Sequence, residues 1–383
     1  MPFVVSTDAQ ELANRVTHRN IPVEIRAFSN EATAEKWGPL KQTPPPPTFQ
    51  LRLVSEISSP VVGGIPLRAT DVKIASGTAI VSYNVEGAPY LGALESIDVS
   101  SPEQSKLTSQ LVFKNADINS VAISGNAVYF VGASGENPQS PAFLNRARLL
   151  NKELVFAPSK SIPLGSYAGT SVAVVGNALF ATSGNNGGLT IVNAPSFSAL
   201  NKISVHDARS VAALPGNRAA VVLSGTPGLI RLYSPTGQSG SAKYLDGART
   251  PESKSTVVTA GDLIVAALGE GGTEIVCALD GKLLLHIGQV KVPNLPVQKT
   301  VTNSAAVWNN TLFTASGEAG VYAYSLLRGR SHYSKCGTIG AYPVGSLTLG
   351  GAGFSANQVV AGRNLLLAAD GVGGLKVLTL NQP

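Results

Sequence analysis

Short apolar runs alternate with glycine-rich turns along most of the chain. The recurring unit is a run of β-branched residues and alanine, a turn of the Gly-Asn type, a second apolar run, a glycine-rich turn and a third apolar run. Gly-Asn, Gly-Asp and Asn-Asn pairs tolerate the positive φ of tight hairpins, and the runs have the length and composition of strands. Seven segments share the pattern: DVKIASGTAIVSYNVEG, SVAISGNAVYFVGASGE, SVAVVGNALFATSGNNG, SVAALPGNRAAVVLSGTPG, STVVTAGDLIVAALGEGG, SAAVWNNTLFTASGEAG and ANQVVAGRNLLLAADGVGG.

The first turn of each segment recurs at intervals of 40 to 53 residues, from Gly176 to Gly216 at the shortest and from Asn309 to Gly362 at the longest. A repeat of this length with about four strands is typical of a β-propeller, whose blades are small antiparallel sheets. The pattern therefore predicts an all-β fold, a seven-bladed β-propeller with four-stranded blades. The first-turn residues are Gly77, Gly125, Gly176, Gly216, Gly261, Asn309 and Gly362.

The seventh repeat stops after its third strand, and a lone strand precedes the first repeat. We expect Gln50–Glu56 to pair as the outermost strand with Leu375–Leu380, so that an N-terminal strand completes the last blade. Closure of the ring would remove the unpaired edges that an open array leaves.

The residues before that strand lie outside the repeat. Ser6 followed by helix formers predicts one short helix, and the proline run 44–47 indicates a semi-rigid linker. The chain therefore divides into an N-terminal extension with a Pro-rich linker, 1–48, and the propeller, 49–383. The start of the chain lacks the basic and apolar regions of a signal peptide, so a signal was either removed or never made.

The third strands of several repeats carry a further pattern: LESIDVSSPEQ, GLTIVNAPSF, GLIRLYSPTG, GVYAYSL and GLKVLTLNQ. This pattern resembles the LVIVD-repeat family of propellers, over roughly residues 60–383. It is closest at 94–102 and 188–195, and the Asp and Pro are missing from the last three repeats. The resemblance implies a propeller of the kind found on bacterial surface and exported proteins, without an assigned activity.

Charge and hydropathy restrict the partners. The formal net charge is +6, and the densest basic stretch is 328–335. Nucleic-acid binding needs a basic stripe interleaved with stacking aromatics, which one loop does not supply, so we expect no nucleic-acid partner. No run of about 18 apolar residues exists, so the sequence predicts no transmembrane helix.

The two cysteines, Cys277 and Cys336, belong to no CxxC pair, which excludes a structural zinc site by count. They fall in successive repeats, on different predicted blades. We expect free thiols, with a disulfide between them as the alternative.

Carboxylates recur in the loops between the second and third strands of five repeats. If these loops point inward, a ring of oxygen ligands could hold a hard cation such as Ca²⁺; if they point outward, the residues are polar turn residues. Ca²⁺ is the one cofactor that the sequence leaves open. The residues are Glu86, Glu136, Glu270, Glu318 and Asp370.

Small polar residues precede each first strand, where they would surround the mouth of a central channel and bind water or a ligand. His206, Asp207 and Arg209 form the one cluster nearby with acid–base capacity. No nucleophile elbow, P-loop or HExxH motif occurs. The candidate binding residues at the channel mouth are Asp71, Asn119, Thr170, His206, Asp207, Arg209, Ser255 and Asn303.

These observations favour a non-catalytic interaction module, exported or exposed at the cell surface, that binds a protein or other macromolecule through one propeller face. One alternative is a metal-dependent hydrolase or lactonase that uses the carboxylate ring. Another is a structural component of a virion or similar assembly. The oligomeric state is not determined by the sequence.

Overall fold

The computed structural model describes residues 1–23, 50–157, 161–225, 228–245, 254–351 and 353–381. Regular structure within these ranges is antiparallel β-sheet apart from one α-helix, α1 (Ala9–Ala13), and two 3-10 turns, Pro102–Gln104 and Val297–Lys299. The predicted all-β fold is confirmed. Five strands precede the first repeat: β1 (Phe3–Ser6), β2 (Val16–Val23), β3 (Gln50–Ile57), β4 (Val61–Val62) and β5 (Ile65–Pro66).

Each of the first three repeats folds into an antiparallel sheet whose first four strands follow one another in chain order, and a fifth strand in repeat two pairs with the third. Repeat one contains β6 (Arg68–Ala75), β7 (Thr78–Asn84), β8 (Gly92–Asp98) and β9 (Lys106–Phe113). Repeat two contains β10 (Ala116–Ser124), β11 (Ala127–Ser134), β12 (Ala142–Leu150), β13 (Glu153–Val155) and β14 (Ile162–Pro163). Repeat three contains β15 (Ser171–Val175), β16 (Ala178–Thr182), β17 (Leu189–Asn193) and β18 (Ser198–Ile203).

The remaining repeats follow the same order. Repeat four contains β19 (Ala208–Leu214), β20 (Arg218–Leu223), β21 (Gly228–Tyr233) and β22 (Ser239–Leu245). Repeat five contains β23 (Thr256–Ala260), β24 (Leu263–Ala267), β25 (Thr273–Cys277) and β26 (Leu283–Ile287). Repeat six contains β27 (Ser304–Trp308), β28 (Thr311–Ala315), β29 (Val321–Gly329) and β30 (Thr338–Leu347), and repeat seven contains β31 (Phe354–Gly362), β32 (Leu365–Gly371) and β33 (Leu375–Asn381).

The strand before the first repeat completes the sheet of repeat seven. β3 pairs antiparallel with β33, in a register that places Gln50 opposite Asn381 and Ile57 opposite Leu375. The predicted pairing is therefore confirmed. The expectation that β3 is outermost is wrong, because β2 pairs with its other edge.

The N-terminal segment adds strands to two neighbouring sheets. β1 extends the sheet of repeat one by pairing with β9, so repeats one and seven each carry a fifth strand, whereas repeats three to six have four. Between β1 and β2 lies the predicted helix, whose N-cap is Asp8 and not Ser6, with the Asp8 carboxylate accepting the N–H groups of Gln10 and Glu11. Leu12 of this helix is buried in the core.

The sheets pack face to face around a common centre. The first strand of each repeat contacts the first strand of the next, in the order β6, β10, β15, β19, β23, β27 and β31, and β31 contacts β6. The hydrophobic core is divided accordingly into clusters that each draw on two neighbouring repeats. Ile80 and Phe130 meet between repeats one and two, for example, and Val81 and Leu367 meet between repeats one and seven.

Cys277 and Cys336 form a disulfide, so the expectation of free thiols is wrong. Cys277 ends β25, and Cys336 lies in the loop that joins β29 to β30 in the adjacent repeat. Because this long hairpin folds back over repeat five, the two Cα atoms are 5.7 Å apart, within the range that a disulfide spans.

Candidate functional site

Two consecutive polar positions occur near the start of each first strand, six and five residues before the first unpaired residue of its hairpin loop. The side chains of these two positions lie at the centre of the molecule, where the first strands meet. The first polar position is occupied by Thr70, Asn119, Thr170, Arg209, Ser255, Asn303 and Asn357, and the second by Asp71, Ser120, Ser171, Ser210, Thr256, Ser304 and Gln358.

At the first polar position, side chains donate hydrogen bonds to backbone carbonyls of the next repeat. Asn119 Nδ2, for instance, lies 2.9 Å from the Gly169 oxygen, and Asn357 Nδ2 lies 2.9 Å from the Ala69 oxygen, which joins repeat seven to repeat one. The other bonds of this kind run from Thr70 to Ile118, from Thr170 to Ala208 and from Asn303 to Ala356.

At four of the second polar positions, side-chain oxygens accept backbone N–H groups of the next repeat, whereas Thr256 donates to the Asn303 carbonyl. The first strand of a sheet is an edge strand, whose outward N–H and C=O groups have no ladder partner and must be satisfied in another way. The two polar positions supply those partners and join neighbouring repeats. The acceptors are Asp71 for Val121, Ser171 for Val211, Ser210 for Val257 and Ser304 for Val359.

Six of the eight sequence-predicted residues fall on these positions, one of them at the second position instead of the first, whereas His206 and Asp207 precede both positions. Asn119, Thr170, Ser255 and Asn303 occupy the first polar position, together with Arg209, whereas Asp71 occupies the second. Thr70 and Asn357, which complete the first position, were missed. In repeats one and seven the hairpin loop begins at Ser76 and Arg363, one residue away from the predicted turn residues Gly77 and Gly362, so counting back from the predicted turns does not reach either residue.

A cavity of about 810 Å³ runs between the first strands. Its lining differs at the two ends. Charged side chains line it towards the start of the first strands, namely Arg68, Asp71, Glu86, Arg209 and Lys254, with Lys73 further along β6. Where the strands finish, the lining is apolar and includes Ile74, Ile123, Val174 and Val258.

Lys254 reaches from the start of repeat five across this cavity. Its Nζ donates to the Thr70 carbonyl at 2.7 Å and to the Asn357 carbonyl at 3.3 Å, on repeats one and seven. Burial lowers the pKa of Lys254 to about 8; Asp71 raises it in part, and the positive charge of Lys73 lowers it further. Sequence reasoning missed this lysine, although it directly precedes Ser255, the first polar position of repeat five.

Asp71 is the most fully bonded carboxylate of the cavity. One oxygen accepts from Lys73 Nζ at 2.5 Å, and the other accepts from the Ser120 hydroxyl at 2.8 Å and from the Val121 N–H at 3.1 Å. One oxygen therefore joins repeats one and two, and the other holds Lys73 within repeat one.

The His206–Asp207–Arg209 cluster contains an ion pair. Arg209 donates from Nε to one Asp207 oxygen at 2.6 Å and from Nη2 to the other at 2.8 Å. Asp207 is buried, whereas the His206 side chain is exposed. The carboxylate therefore orients Arg209 at the cavity.

The structure does not bring the five loop carboxylates together. Glu86 pairs with Arg68, Glu136 with the amino group of Met1, and Glu318 with Lys299 at 2.9 Å. Glu270 is exposed. Across the described ranges, no group of three or more His, Cys, Asp or Glu residues is arranged to hold a metal ion.

Asp370, the fifth of these carboxylates, is buried beside β33. Burial raises its pKa to about 7, against the opposing effect of Lys376 and with a further contribution from Glu56. Lys376 forms an ion pair with Glu56 at 2.7 Å and lies over the Phe354 ring. Asp370 thus belongs to a buried charged cluster in repeat seven.

Solved structures that share this architecture are propellers. The WD40 repeats of RRP9 match with a TM-score of 0.59 and 13% identity, over 94% of this chain and 100% of that one. The fold is a β-propeller. U3-55K matches with a TM-score of 0.57 and 14% identity, over 84% and 98% of the two chains. A catalytically inactive variant of virginiamycin B lyase from Staphylococcus aureus, with quinupristin, matches with a TM-score of 0.56 and 12% identity, over 87% and 100%.

At these identities the similarities establish the propeller fold alone. No protein-family model matches the sequence, and no curated protein matches it, so the resemblance to the LVIVD-repeat family stays a prediction. In the described part of the propeller, no helix is long and apolar enough to cross a membrane.

Proposed function

We propose that this protein is a seven-bladed propeller that acts as a non-catalytic interaction module. The closed cycle of contacts from β6 to β31 and back to β6 supports the blade count, since each first strand stands for one blade. The bonded pair Asn357 and Ala69 supports closure between the last repeat and the first.

We place the interaction at the face where the first strands begin. The side chains at the two polar positions form hydrogen bonds between neighbouring repeats. The groups that remain for a partner to contact at this face are therefore mainly charged. Arg68, Lys73, Arg209 and Lys254 line the cavity together with two carboxylates, Asp71 and Glu86, and a third carboxylate, Asp207, is paired with Arg209. The gathering of four basic side chains around one cavity, against three carboxylates, is the observation that carries the proposal, because it fits an acidic segment of a partner macromolecule.

The proposed location is outside the cytoplasm or at the cell surface. The disulfide between Cys277 and Cys336 supports it, since disulfides form and persist mainly in oxidising compartments. The resemblance of the third strands to the LVIVD-repeat family points the same way.

The placement of the loop carboxylates favours binding over the hydrolase alternative. That alternative required Glu86, Glu136, Glu270, Glu318 and Asp370 to share one cation, and four of them have separate surroundings with different charged neighbours. No specific observation favours the virion alternative.

A labelled decaglutamate peptide tests the proposal on the full chain at about 0.15 M salt, where exposed charges are screened beyond about 8 Å. Arg68→Gln combined with Lys73→Gln should weaken binding at least about tenfold, because charge-assisted hydrogen bonds contribute about 1.5–3 kcal/mol each. The control is Lys106→Gln combined with Arg148→Gln, which removes equal charge from exposed positions on outer strands. Equal loss in both double variants, or no binding by the unaltered protein, would refute the proposal.

A further inference from the structure

The basic stretch 328–335 forms the tip of the hairpin between β29 and β30. It contains three cations, a histidine and a tyrosine within eight residues, and all five side chains are exposed. Tyr333 is 82% exposed, more than any other large apolar or aromatic side chain among the described residues. The five residues are Arg328, Arg330, His332, Tyr333 and Lys335.

This loop is fixed to the neighbouring blade at three points. The disulfide attaches Cys336 to Cys277 of repeat five. The Lys335 N–H donates to one oxygen of Asp280 at 2.7 Å, and the Ser334 hydroxyl donates to the other at 3.4 Å. The loop is therefore a rigid projection, held by covalent and hydrogen-bonded contacts at its base.

The Asp280 carboxylate accepts a hydrogen bond from the backbone of the loop and forms no ion pair with the cations of the loop, all of which the structure describes. Desolvation is the largest single influence and favours the neutral carboxyl, but the hydrogen bonds from the N–H groups of Lys335 and Lys282 and from the Ser334 hydroxyl together outweigh it and lower the pKa of Asp280. Of the ion pairs between described residues, none involves Arg328, Arg330 or Lys335. The cationic side chains are thus directed to solvent while the loop backbone is anchored.

A groove of about 460 Å³ adjoins the base of the loop, between repeats four and five. It shares Cys277 and Asp280 with the anchor, and its rim carries two further cations, Arg218 and Lys243. Its lining combines apolar side chains with hydroxyl and amide groups: Ile230, Leu232, Leu279, Ser234, Ser239 and Gln238.

We propose that the anchored loop and the adjoining groove bind an acidic polysaccharide. Arginine and lysine recognise its carboxylate or sulfate groups, hydroxyl and amide groups suit its hydroxyls, and an aromatic face such as that of Tyr333 suits the apolar face of a sugar ring. Single-stranded nucleic acid is disfavoured because it requires a series of stacking aromatics, whereas the loop has one. This site is separate from the channel face and does not depend on the function proposed there.

The anchoring of the loop should raise its affinity for the polysaccharide. Ordering a loop of several residues on binding costs free energy, and a loop already held in place avoids that cost. Release of the anchor should therefore weaken binding although no contacting side chain changes.

Heparin oligosaccharide is the probe, with affinity for the full chain measured at several salt concentrations. Arg328→Ser, Arg330→Ser and Lys335→Ser together should lower affinity at least about tenfold and flatten its salt dependence, since each neutralised anion–cation contact releases counterions. The control removes equal charge elsewhere, from the exposed residues Lys106, Lys114 and Arg148, and should retain nearly full affinity. Equal losses in both triple variants would overturn the proposal.

Two further measurements keep the test independent of folding defects. Tyr333→Ala alters only an exposed side chain and should lower affinity about threefold or more; unchanged affinity would count against the sugar-ring contact and the proposal. Cys277→Ser combined with Cys336→Ser should weaken binding several-fold with an unchanged circular dichroism spectrum. Tighter binding of single-stranded DNA than of heparin by the unaltered protein would also overturn the assignment.

Discussion

Arg15 connects the N-terminal segment to the first and last repeats at once. Its guanidinium forms an ion pair with Glu95 on β8, and its Nε donates to the Ser58 carbonyl, just beyond β3, at 3.1 Å. Glu95 is fully buried, and one of its oxygens also accepts from Gln110 at 2.7 Å. Arg15 therefore neutralises a carboxylate inside the molecule while it holds the junction between repeats seven and one.

Arg15→Met tests this role. The substitution leaves the Glu95 carboxylate buried without a cation, and breaking a buried pair in this way costs about 3–5 kcal/mol. Arg19→Met is the matched control on the same segment. The Arg19–Glu56 pair is 2.6 Å long, but Arg19 is 44% exposed, and exposed pairs contribute about 0–1 kcal/mol.

Urea denaturation followed by circular dichroism measures both variants, with Glu95→Gln and the Arg15→Met/Glu95→Gln double variant completing a double-mutant cycle. We expect the double variant to be more stable than Arg15→Met alone, because the neutral amide removes the unpaired charge. Equal losses for Arg15→Met and Arg19→Met, or a coupling free energy near zero, would refute the argument that the buried pair holds the junction.

Two more predictions concern the ring. Asn357→Ala removes the hydrogen bond to the Ala69 carbonyl and should lower the unfolding free energy by about 1–2 kcal/mol. Asn201→Ala, at an exposed position, should change it by less than about 0.5 kcal/mol. Equal changes in the two variants would contradict the role of Asn357 in joining repeats seven and one. Burial raises the pKa of Asp370 to about 7. Between about pH 4 and about pH 7 its carboxyl is therefore protonated in the folded chain and ionised in the unfolded chain. The unfolding free energy should therefore fall as the pH rises from about 4 to about 7, and it should fall less in Asp370→Asn. Identical pH profiles for Asp370→Asn and the unaltered protein would refute this prediction.

The repeats and their hairpins could be predicted from the sequence because both are encoded locally. Turn pairs such as Gly125 and Asn126 specify where each hairpin reverses, and the runs on either side have strand composition. The pairing of β3 with β33 could also be predicted, because one repeat lacked a fourth strand and one spare strand was present.

Strand β2 could not be predicted because it lacks the usual signals. Its sequence, VTHRNIPV, does not alternate apolar and polar residues, is mostly exposed and includes Pro22, which a strand tolerates at the edge of a sheet. Its pairing depends on an edge supplied by β3. The disulfide escaped prediction for a similar reason, since the approach of Cys336 to Cys277 depends on how far one hairpin extends over its neighbour.

The candidate site could be predicted only in part. Polar positions at the start of each first strand repeat in the sequence, yet their role in satisfying backbone groups of the next blade follows from the packing of neighbouring strands. The carboxylates at similar offsets do not converge, because each loop belongs to a different repeat, and three of them pair with a nearby cation, as Glu86 does with Arg68. Equal spacing along the chain does not imply a shared location in space.

The pairing of β3 with β33 has a consequence for synthesis on the ribosome. Glu56 and Lys376, partners in this pair of strands, are 320 positions apart. At about 5–20 residues per second, β3 emerges on the order of half a minute before its partner exists. β2 lies much closer in sequence, with His18 only 37 positions from its partner Ser55, and can cover one edge of β3 early. The other edge of β3, beside Leu51 and Val54, stays unpaired until the last repeat has been synthesised. During that time the nascent chain can mispair or be bound by a chaperone.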